Sequence, residues 1–316
     1  MSSAALWLVH SPAQPLFAAA NDVLDAALRV AGYGRADVHV AAWSDSLATR
    51  LLAERPAVIV ALGIGAAQNL ISNPPSDGIQ ALRGYLWDAP LGRVLTTVHP
   101  SDVLREWTPW RALLDFDMKR AAAEVSAGAP PLATRVVRVC TAPRDAEELR
   151  SAMLAAPLTA VDIENTHDLQ LACVGFAPTS SCAWVIPAHE AWQLATIREL
   201  CENSRPKVLQ NGQYDRFFLR RFAGIELRNQ VFDIMLAWHA LNPELAGKKA
   251  SVGNRKATGR RTVKSLKFLA SIYTRDAWWK EYSFTSEDER YRLCGKDCCV
   301  TLDIAQRQTI QLAGAV

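Results

Sequence analysis

Short apolar runs alternate with amphipathic stretches through the first 130 residues of the chain. Four apolar runs predict buried strands: Leu6–Val9, Val38–Ala42, Ala57–Leu62 and Val94–Thr97. Four stretches with apolar residues at helical spacing predict helices: Asp22–Val30, Ser46–Glu54, Ala66–Ile71 and Trp110–Val125. Because strands and helices alternate, we expect a three-layer α/β domain built around a largely parallel sheet.

The pattern changes after Ser126–Leu132, where glycine and two prolines mark a linker. Closely spaced strands are predicted at Arg135–Val139, Leu158–Ile163, Leu171–Phe176 and Ala183–Ile186. Helices are predicted at Trp192–Cys201, Gln213–Phe222, Phe232–Ala240, Val263–Ile272 and Glu287–Leu312. Short polar turns predict an antiparallel meander, and strands before helices are typical of α+β domains. We therefore expect domains at residues 1–126 and 135–316, joined by residues 127–134.

The length of 316 residues exceeds what one hydrophobic core usually spans, which agrees with two domains. The longest apolar runs are too short to cross a bilayer, and Met1–His10 does not have the regions of a signal peptide. We therefore expect a cytoplasmic protein without a membrane partner. The seven cysteines are odd in number and have no framework spacing, which predicts free thiols.

Charge is divided unevenly along the chain. Residues 1–130 carry ten basic and twelve acidic residues, a net charge of −2, whereas the whole chain carries +3, so the remainder carries +5. Lys248–Lys267 holds eight basic residues and no acidic one. Two interpretations stay open for this segment: a solvated surface loop, or a loop that contacts nucleic-acid phosphates. The second makes six residues candidates for DNA binding: Lys248, Lys249, Arg255, Lys256, Arg260 and Arg261.

Three largely apolar segments in the second half of the chain carry acidic residues that are candidates for a metal site. TAVDIE ends a predicted strand with Asp162 and Glu164, which share a face because strand side chains repeat every two residues. Taken alone, such a pair is more typical of a solvated strand end than of a site for a hard divalent cation. VLQNGQYDRFFL is expected to present Asn211 and Asp215 on the first turn of a helix, and Asp297 lies in another predicted helix.

This ordered set of acids resembles the proofreading exonuclease domain of family-A DNA polymerases, in the DEDD superfamily. The resemblance covers residues 135–312 and includes FDIMLAWHALNP, KSLKFLASIYTRDAWW and DCCVTL. It implies a ribonuclease H-like (DnaQ-like) fold, a site for two Mg²⁺ or Mn²⁺ ions, and an Asn211 that supports the DNA strand. The four acids of the metal site would be Asp162, Glu164, Asp215 and Asp297. Two such ions can supply a hydroxide and stabilise the leaving 3′ oxygen of a phosphodiester.

The chain departs from that family at the residue that orients the attacking water. Polymerase-type members carry a Tyr four residues before the last acid, and another subgroup carries a His five residues before it. Here those positions are Leu293 and Arg292, while Tyr291, six residues before Asp297, lies about 240° round the helix from it. His167 is a local substitute in principle, although an exposed turn residue is the favoured interpretation.

A second ordered set lies in the first half of the chain. The Gly–x–Gly turn in AVIVALGIGAAQNL is alone typical of a structural strand-to-helix turn. LRG, VLTTVHPS and WRALLDFDMKRA follow it in order. Together they resemble the uracil-DNA glycosylase superfamily, especially the bacterial branch whose last motif is His–Pro–Ser. That resemblance implies a pocket for a flipped base, in which His99 stabilises the departing anion and Phe17 stacks on the base.

Three departures set this half of the chain apart from active glycosylases. VHSPAQP carries no acid to position water, Ala42 replaces the pyrimidine-reading Asn, and residues 1–130 hold no cysteine for an iron–sulfur cluster. We therefore favour a degenerate glycosylase fold that serves DNA binding or structure. Phage family-A polymerases with such a domain before the exonuclease are the nearest architectural analogue, and this chain would correspond to one without its polymerase domain.

Three functions stay under consideration. The first is a metal-dependent 3′→5′ DNA exonuclease that releases 5′-mononucleotides from single-stranded DNA or DNA 3′ ends, acting in proofreading or repair. It would work in a bacterial cell or a phage-infected host, with a DNA polymerase as partner. The second is a DNA-binding accessory subunit with decayed sites, which the missing Tyr or His favours. The third is a bifunctional uracil-excision nuclease. The four intact acids favour the first.

Overall fold

The computed structural model describes residues 5–75, 78–105, 107–246, 264–279 and 286–314. The chain forms two compact units. Within the described ranges, the first comprises residues up to Ala133 together with Arg275–Trp278, and the second comprises Thr134 to residue 246, Lys264–Thr274 and the residues from Trp279 onward. None of the described helices combines the length and the apolar character that a membrane span requires.

A five-stranded sheet forms the centre of the first unit. Its strands are β1 (Leu6–His10), β2 (His39–Ala42), β3 (Val58–Leu62), β4 (Leu86–Ala89) and β5 (Gly92–Thr97). Its helices are α1 (Ala18–Val30), α2 (Asp45–Glu54), α3 (Ile64–Leu70), α4 (Ile79–Leu82), α5 (Pro100–Arg105) and α6 (Trp107–Ser126). The strand order is β2-β1-β3-β5-β4, and all neighbours are parallel except the β4–β5 pair. The predicted parallel sheet is confirmed, whereas β4, α4 and α5 were not predicted.

Helices cover both faces of this sheet. Trp7 and Ile59 pack with residues of α2 and α3 in one core cluster. Their neighbours Leu8 and Val60 are fully buried and point to the opposite face, because strand side chains alternate. Helix α6 packs against β1, β3, β5 and α1. The unit therefore has the three layers that the sequence predicts.

A six-stranded mixed sheet forms the centre of the second unit. Its strands are β6 (Val136–Val139), β7 (Thr159–Asn165), β8 (Leu171–Thr179), β9 (Cys182–Pro187), β10 (Lys207–Leu209) and β11 (Gln230–Asp233). Its helices are α7 (Pro143–Ala155), α8 (Ala191–Glu202), α9 (Gln213–Phe218), α10 (Ile234–Leu241), α11 (Pro243–Ala246), α12 (Leu266–Tyr273) and α13 (Glu287–Gly314). The order is β11-β10-β7-β8-β9-β6. Strands β7, β8 and β9 form the predicted antiparallel meander, while β6, β10 and β11 run parallel to their neighbours.

Helix α13 lies directly on one face of this sheet and contacts β6, β7, β8, β9 and β10. Two glycines allow the close approach. A Cβ atom on Gly295 would lie 2.5 Å from Val137 Cγ1, and one on Gly175 would lie 2.6 Å from Cys298 Sγ. Cys298 is fully buried there, and all seven cysteines, each in the described part of the chain, are free thiols.

One predicted helix of this unit needs correction, and one helix was not predicted. The helix expected at Phe232–Ala240 begins only at Ile234, because Phe232 and Asp233 pair with β10 as part of β11. Helix α7 was not predicted from the sequence. Its buried residues Ala146, Leu149 and Met153 are spaced as one helical face, but the polar residues between them obscure the pattern.

Candidate active site

Asp162 and Glu164 lie on β7 and face helix α13. In the antiparallel β7–β8 pair, Asp162 is the register partner of Gly175 and Glu164 is the partner of Cys173. Register partners share one face of a sheet. Gly175 lies against the Cys294 thiol of α13, and Cys173 packs in a cluster with the same cysteine. The prediction that the two carboxylates share a face is therefore confirmed.

Asp215 reaches β7 from helix α9. Its carboxylate is 5% exposed and accepts a backbone hydrogen bond from Ile163, which lies between Asp162 and Glu164. Asn211, by contrast, lies before the helix in the left-handed backbone region, with φ 55°. The prediction that Asn211 and Asp215 share the first turn of a helix is therefore wrong, since α9 begins at Gln213.

Asp233, which was not among the predicted site residues, holds the turn that leads into α9. Its carboxylate accepts the backbone N–H groups of Asn211 at 3.2 Å and Gly212 at 2.8 Å. The same carboxylate caps α10 by accepting from Met235 N at 2.9 Å. An Asp immediately before an amphipathic run is a recognisable N-cap signal, so the cap could have been predicted. The bonds to Asn211 and Gly212 could not, because they join residues 22 and 21 positions apart.

Asp297 comes from α13, as predicted. Its Oδ1 accepts a hydrogen bond from Trp279 Nε1 at 3.1 Å. Trp279 is buried, at 7% exposure, so its ring is a packing residue and not a platform open to a nucleobase. Asp297 immediately precedes Cys298, whose Sγ lies in the close contact with Gly175.

The four acids influence one another electrostatically. The pKa of the Asp162 carboxyl is raised well above its usual range, first by loss of hydration and then by repulsion from Asp215, Glu164 and Asp297. Loss of hydration also raises the pKa of Asp215 to about 7, although the backbone hydrogen bonds oppose this shift. Because Asp215, Glu164 and Asp297 all act electrostatically on Asp162, β7, α9 and α13 bring the four predicted acids into one region.

This donor set fits Mg²⁺ or Mn²⁺ in its chemistry, because both ions prefer carboxylate oxygen. A cation among the acids would also offset the repulsion that raises the pKa values of Asp162 and Asp215. Within the described ranges, however, no three His, Cys, Asp or Glu side chains are arranged to hold one ion together. The four carboxylates therefore lie in one region without three of them converging on a single point in this structure.

Leu293 and Arg292 occupy the two positions at which the sequence resemblance predicts a water-orienting Tyr or His. Leu293 is partly exposed and Arg292 is exposed on α13. Tyr291 packs against Cys173, and its hydroxyl donates to Glu287 at 3.0 Å. His167 is an exposed turn residue after β7, in agreement with the favoured interpretation. The basic candidates Lys248, Lys249, Arg255, Lys256, Arg260 and Arg261 lie outside the described residues.

In the first unit, His99 follows β5 and is fully buried. Its Nδ1 accepts the backbone N–H of Ser101 at 3.2 Å and lies 2.7 Å from Ser101 Oγ, which places the ring proton on Nε2. Burial lowers the pKa of His99 from 6.5 to about 4, so the ring is neutral at pH 7. Nε2 is buried and has no hydrogen-bond partner within 3.5 Å in the described part of the chain, while the backbone of Gln14 acts on the ring to raise its pKa against the effect of burial. Phe17, at the start of α1, is 53% exposed.

Several solved structures share part of this architecture. The Pol1 polymerase domain of M. smegmatis, in complex with DNA primer-template and dNTP, matches with a TM-score of 0.43 and 16% identity over 56% of this chain and 28% of that chain. The catalytic core of RRP6 from Trypanosoma brucei matches with a TM-score of 0.44 and 16% identity over 58% and 48%. Brucella melitensis NrnC with bound Mg²⁺ matches with a TM-score of 0.38 and 12% identity over 58% and 84%.

The chain thus spans less than half the length of the first two structures. All three TM-scores lie below 0.5, so these likenesses do not bear on the function of this chain. No curated protein matches the sequence significantly.

The family match is more extensive. A family model described as 3'-5' exonuclease (DNA_pol_A_exo1) matches residues 137–307, which are 171 of the 316 residues. The matched range contains β7, α9 and most of α13, the elements that carry the four acids. The chain therefore belongs to this 3'-5' exonuclease family.

Proposed function

We propose that this chain is a Mg²⁺- or Mn²⁺-dependent 3′→5′ DNA exonuclease that releases 5′-mononucleotides in proofreading or repair. One observation carries the proposal: three separate elements, β7, α9 and α13, bring the carboxylates of Glu164, Asp215 and Asp297 within electrostatic reach of the buried Asp162. Such a cluster of carboxylates is costly to maintain unless a cation uses it. Single-stranded DNA or a DNA 3′ end is the proposed substrate, and a DNA polymerase is the proposed partner.

Each acid has a distinct support in the fold. Asp162 and Glu164 are fixed by the β7–β8 register, Asp215 by the backbone of Ile163, and Asp297 by Trp279. When bound, two divalent ions held by these acids would supply a hydroxide near neutral pH and stabilise charge on the leaving 3′ oxygen. Asn211, in the turn held by Asp233, is proposed to contact the DNA strand beside the site.

The test is the shortening of a 5′-labelled single strand in Mg²⁺ or Mn²⁺. Asp162→Asn should abolish the ladder of shortened products, because it removes the central carboxylate while preserving side-chain volume. Asp288→Asn, an exposed carboxylate in the first turn of α13, is the matched control and should leave the ladder unchanged. DNA binding without shortening in either metal would instead support the accessory-subunit hypothesis, which Leu293 favours.

A second candidate function concerns the first unit. A buried, neutral His99 with an unpartnered Nε2–H donor is costly unless a ligand accepts from it. His99 and Gly63 follow the neighbouring strands β5 and β3, where ligands of parallel sheets commonly bind. We propose a base-binding pocket here, with Phe17 as the stacking residue. A strand with a central uracil is the probe: an alkali-labile break that disappears in His99→Gln indicates excision, and an intact strand limits this unit to binding or structure.

A further inference from the structure

Asp297 and Trp279 form a carboxylate–indole pair inside the second unit. The indole N–H donates to Asp297 Oδ1 at 3.1 Å, and the ring is almost fully buried. A buried indole can hold a carboxylate in one plane, because the ring cannot move without opening the packing around it. Asp297 is carried by α13, which begins ten residues earlier at Glu287.

Two lysines lie against the same ring. Lys296 Nζ is 4.2 Å and Lys267 Nζ is 5.4 Å from the ring centroid, both within the range of cation–π attraction. Lys267 is 2% exposed and comes from α12, which packs against α13. The ring is therefore held from two helices at once. Nearby positive charge also strengthens the indole N–H as a donor to the carboxylate.

We propose that Trp279 is a positioning residue for the exonuclease reaction, which sets the orientation of Asp297 for a divalent cation. This inference rests on the function proposed above. Donors in the second layer around a metal site orient the ligating carboxylates, and their loss commonly costs 10- to 100-fold in metal affinity or activity. The arrangement matters here because position 293, where the family resemblance predicts a water-orienting tyrosine, is a leucine.

The test replaces Trp279 with phenylalanine in the full chain, which keeps most of the ring and removes the donor. Trp192→Phe is the matched control, since Trp192 Nε1 donates to Glu190 Oε2 at 2.6 Å in α8, an element that carries none of the acids. Binding of Mn²⁺ is followed by electron paramagnetic resonance, and kcat and KM are measured on single-stranded DNA. We expect Trp279→Phe to weaken Mn²⁺ binding about 10-fold and to lower kcat, with KM for DNA unchanged. Trp192→Phe should alter neither.

A second measurement covers the case in which Trp279→Phe does not fold. The indole N–H signal of Trp279 in the NMR spectrum is assigned as the one that disappears in Trp279→Phe or Trp279→His. In the wild-type protein this signal should shift when Mg²⁺ is added, whereas the signal of Trp192 should not. Suppose the wild-type protein binds Mn²⁺ and shortens DNA. The positioning role alone is then overturned if the Trp279 resonance does not shift, or if Trp279→Phe binds Mn²⁺ as tightly as the wild type. Wild-type protein that neither binds Mn²⁺ nor shortens DNA overturns the proposed function and the positioning role together.

Discussion

Gly175 lies directly under Cys298: a Cβ atom on the glycine would come within 2.6 Å of the thiol sulfur. Gly175 is also the register partner of Asp162, and Cys298 immediately follows Asp297. The absence of one side chain on β8 therefore sets the distance between two acids that come from different elements. Packing and site geometry are coupled at this contact.

Gly175→Ala is expected to push α13 away from β8 and to separate Asp297 from Asp162. Overpacking of this kind costs about 1–3 kcal/mol of unfolding free energy. We expect at least a 10-fold loss of nuclease activity, since about 1 Å of misplacement can cost 100-fold. Gly314→Ala, where an added Cβ meets open space, is the control for urea unfolding and DNA shortening. Wild-type stability and rate in Gly175→Ala would contradict the coupling.

Asp233→Ala is expected to release the turn before α9 and to displace Asp215. Loss of the cap alone should cost about 1–2 kcal/mol. Ser44→Ala removes an ordinary N-cap from α2, where Ser44 Oγ accepts from Leu47 N at 3.1 Å, and so controls for cap loss. Both variants should be less stable in urea, but only Asp233→Ala should lose activity, by about 10-fold. Equal activity in the two variants would show that Asp233 acts only as a helix cap and does not position Asp215.

The sequence predicted the local part of this site. Asp162 and Glu164 share a face because of strand periodicity, and the helical setting of Asp297 follows from its amphipathic segment. Periodicity failed at Asn211, since the turn there depends on a carboxylate 22 positions later in the chain. The roles of Trp279 and Gly175 could not be predicted from the sequence, because they also depend on contacts between distant residues. Their roles exist only when α13 packs on the sheet and brings Asp297 and Cys298 to them.

Leu293→Tyr tests whether the site has lost its water-orienting group. The resemblance to polymerase exonucleases places a tyrosine hydroxyl at this position, one helical turn before Asp297. We expect kcat to rise by on the order of 10-fold, with Mn²⁺ affinity unchanged, because the substitution adds a donor without altering a carboxylate. Tyr291→Phe serves as the control, since that hydroxyl is bonded to Glu287, and should leave kcat unchanged. An unaltered kcat in Leu293→Tyr would mean that another group already orients the water.

His99 gives the first unit a specific pH dependence. Its pKa is about 4 in the folded chain and 6.5 in an unfolded one, because burial disfavours the charged ring. Between these values the unfolded state binds more protons than the folded state, so acidification through this window lowers stability. The stabilisation is fully present above pH 6.5 and declines toward pH 4, by on the order of 3 kcal/mol.

Amide exchange of β1, β3 and β5, followed from pH 7 to pH 4.5, reports this unit separately from the other. After correction for intrinsic exchange rates, the opening free energy of these strands should fall more steeply in the wild type than in His99→Gln, whatever the absolute stability of the variant. His39→Gln, which alters an exposed histidine of the same unit, should retain the wild-type slope. Parallel slopes for the wild type and His99→Gln would show that His99 does not carry the acid sensitivity. They would also weaken the assignment of a neutral donor at Nε2, on which the base-binding pocket depends.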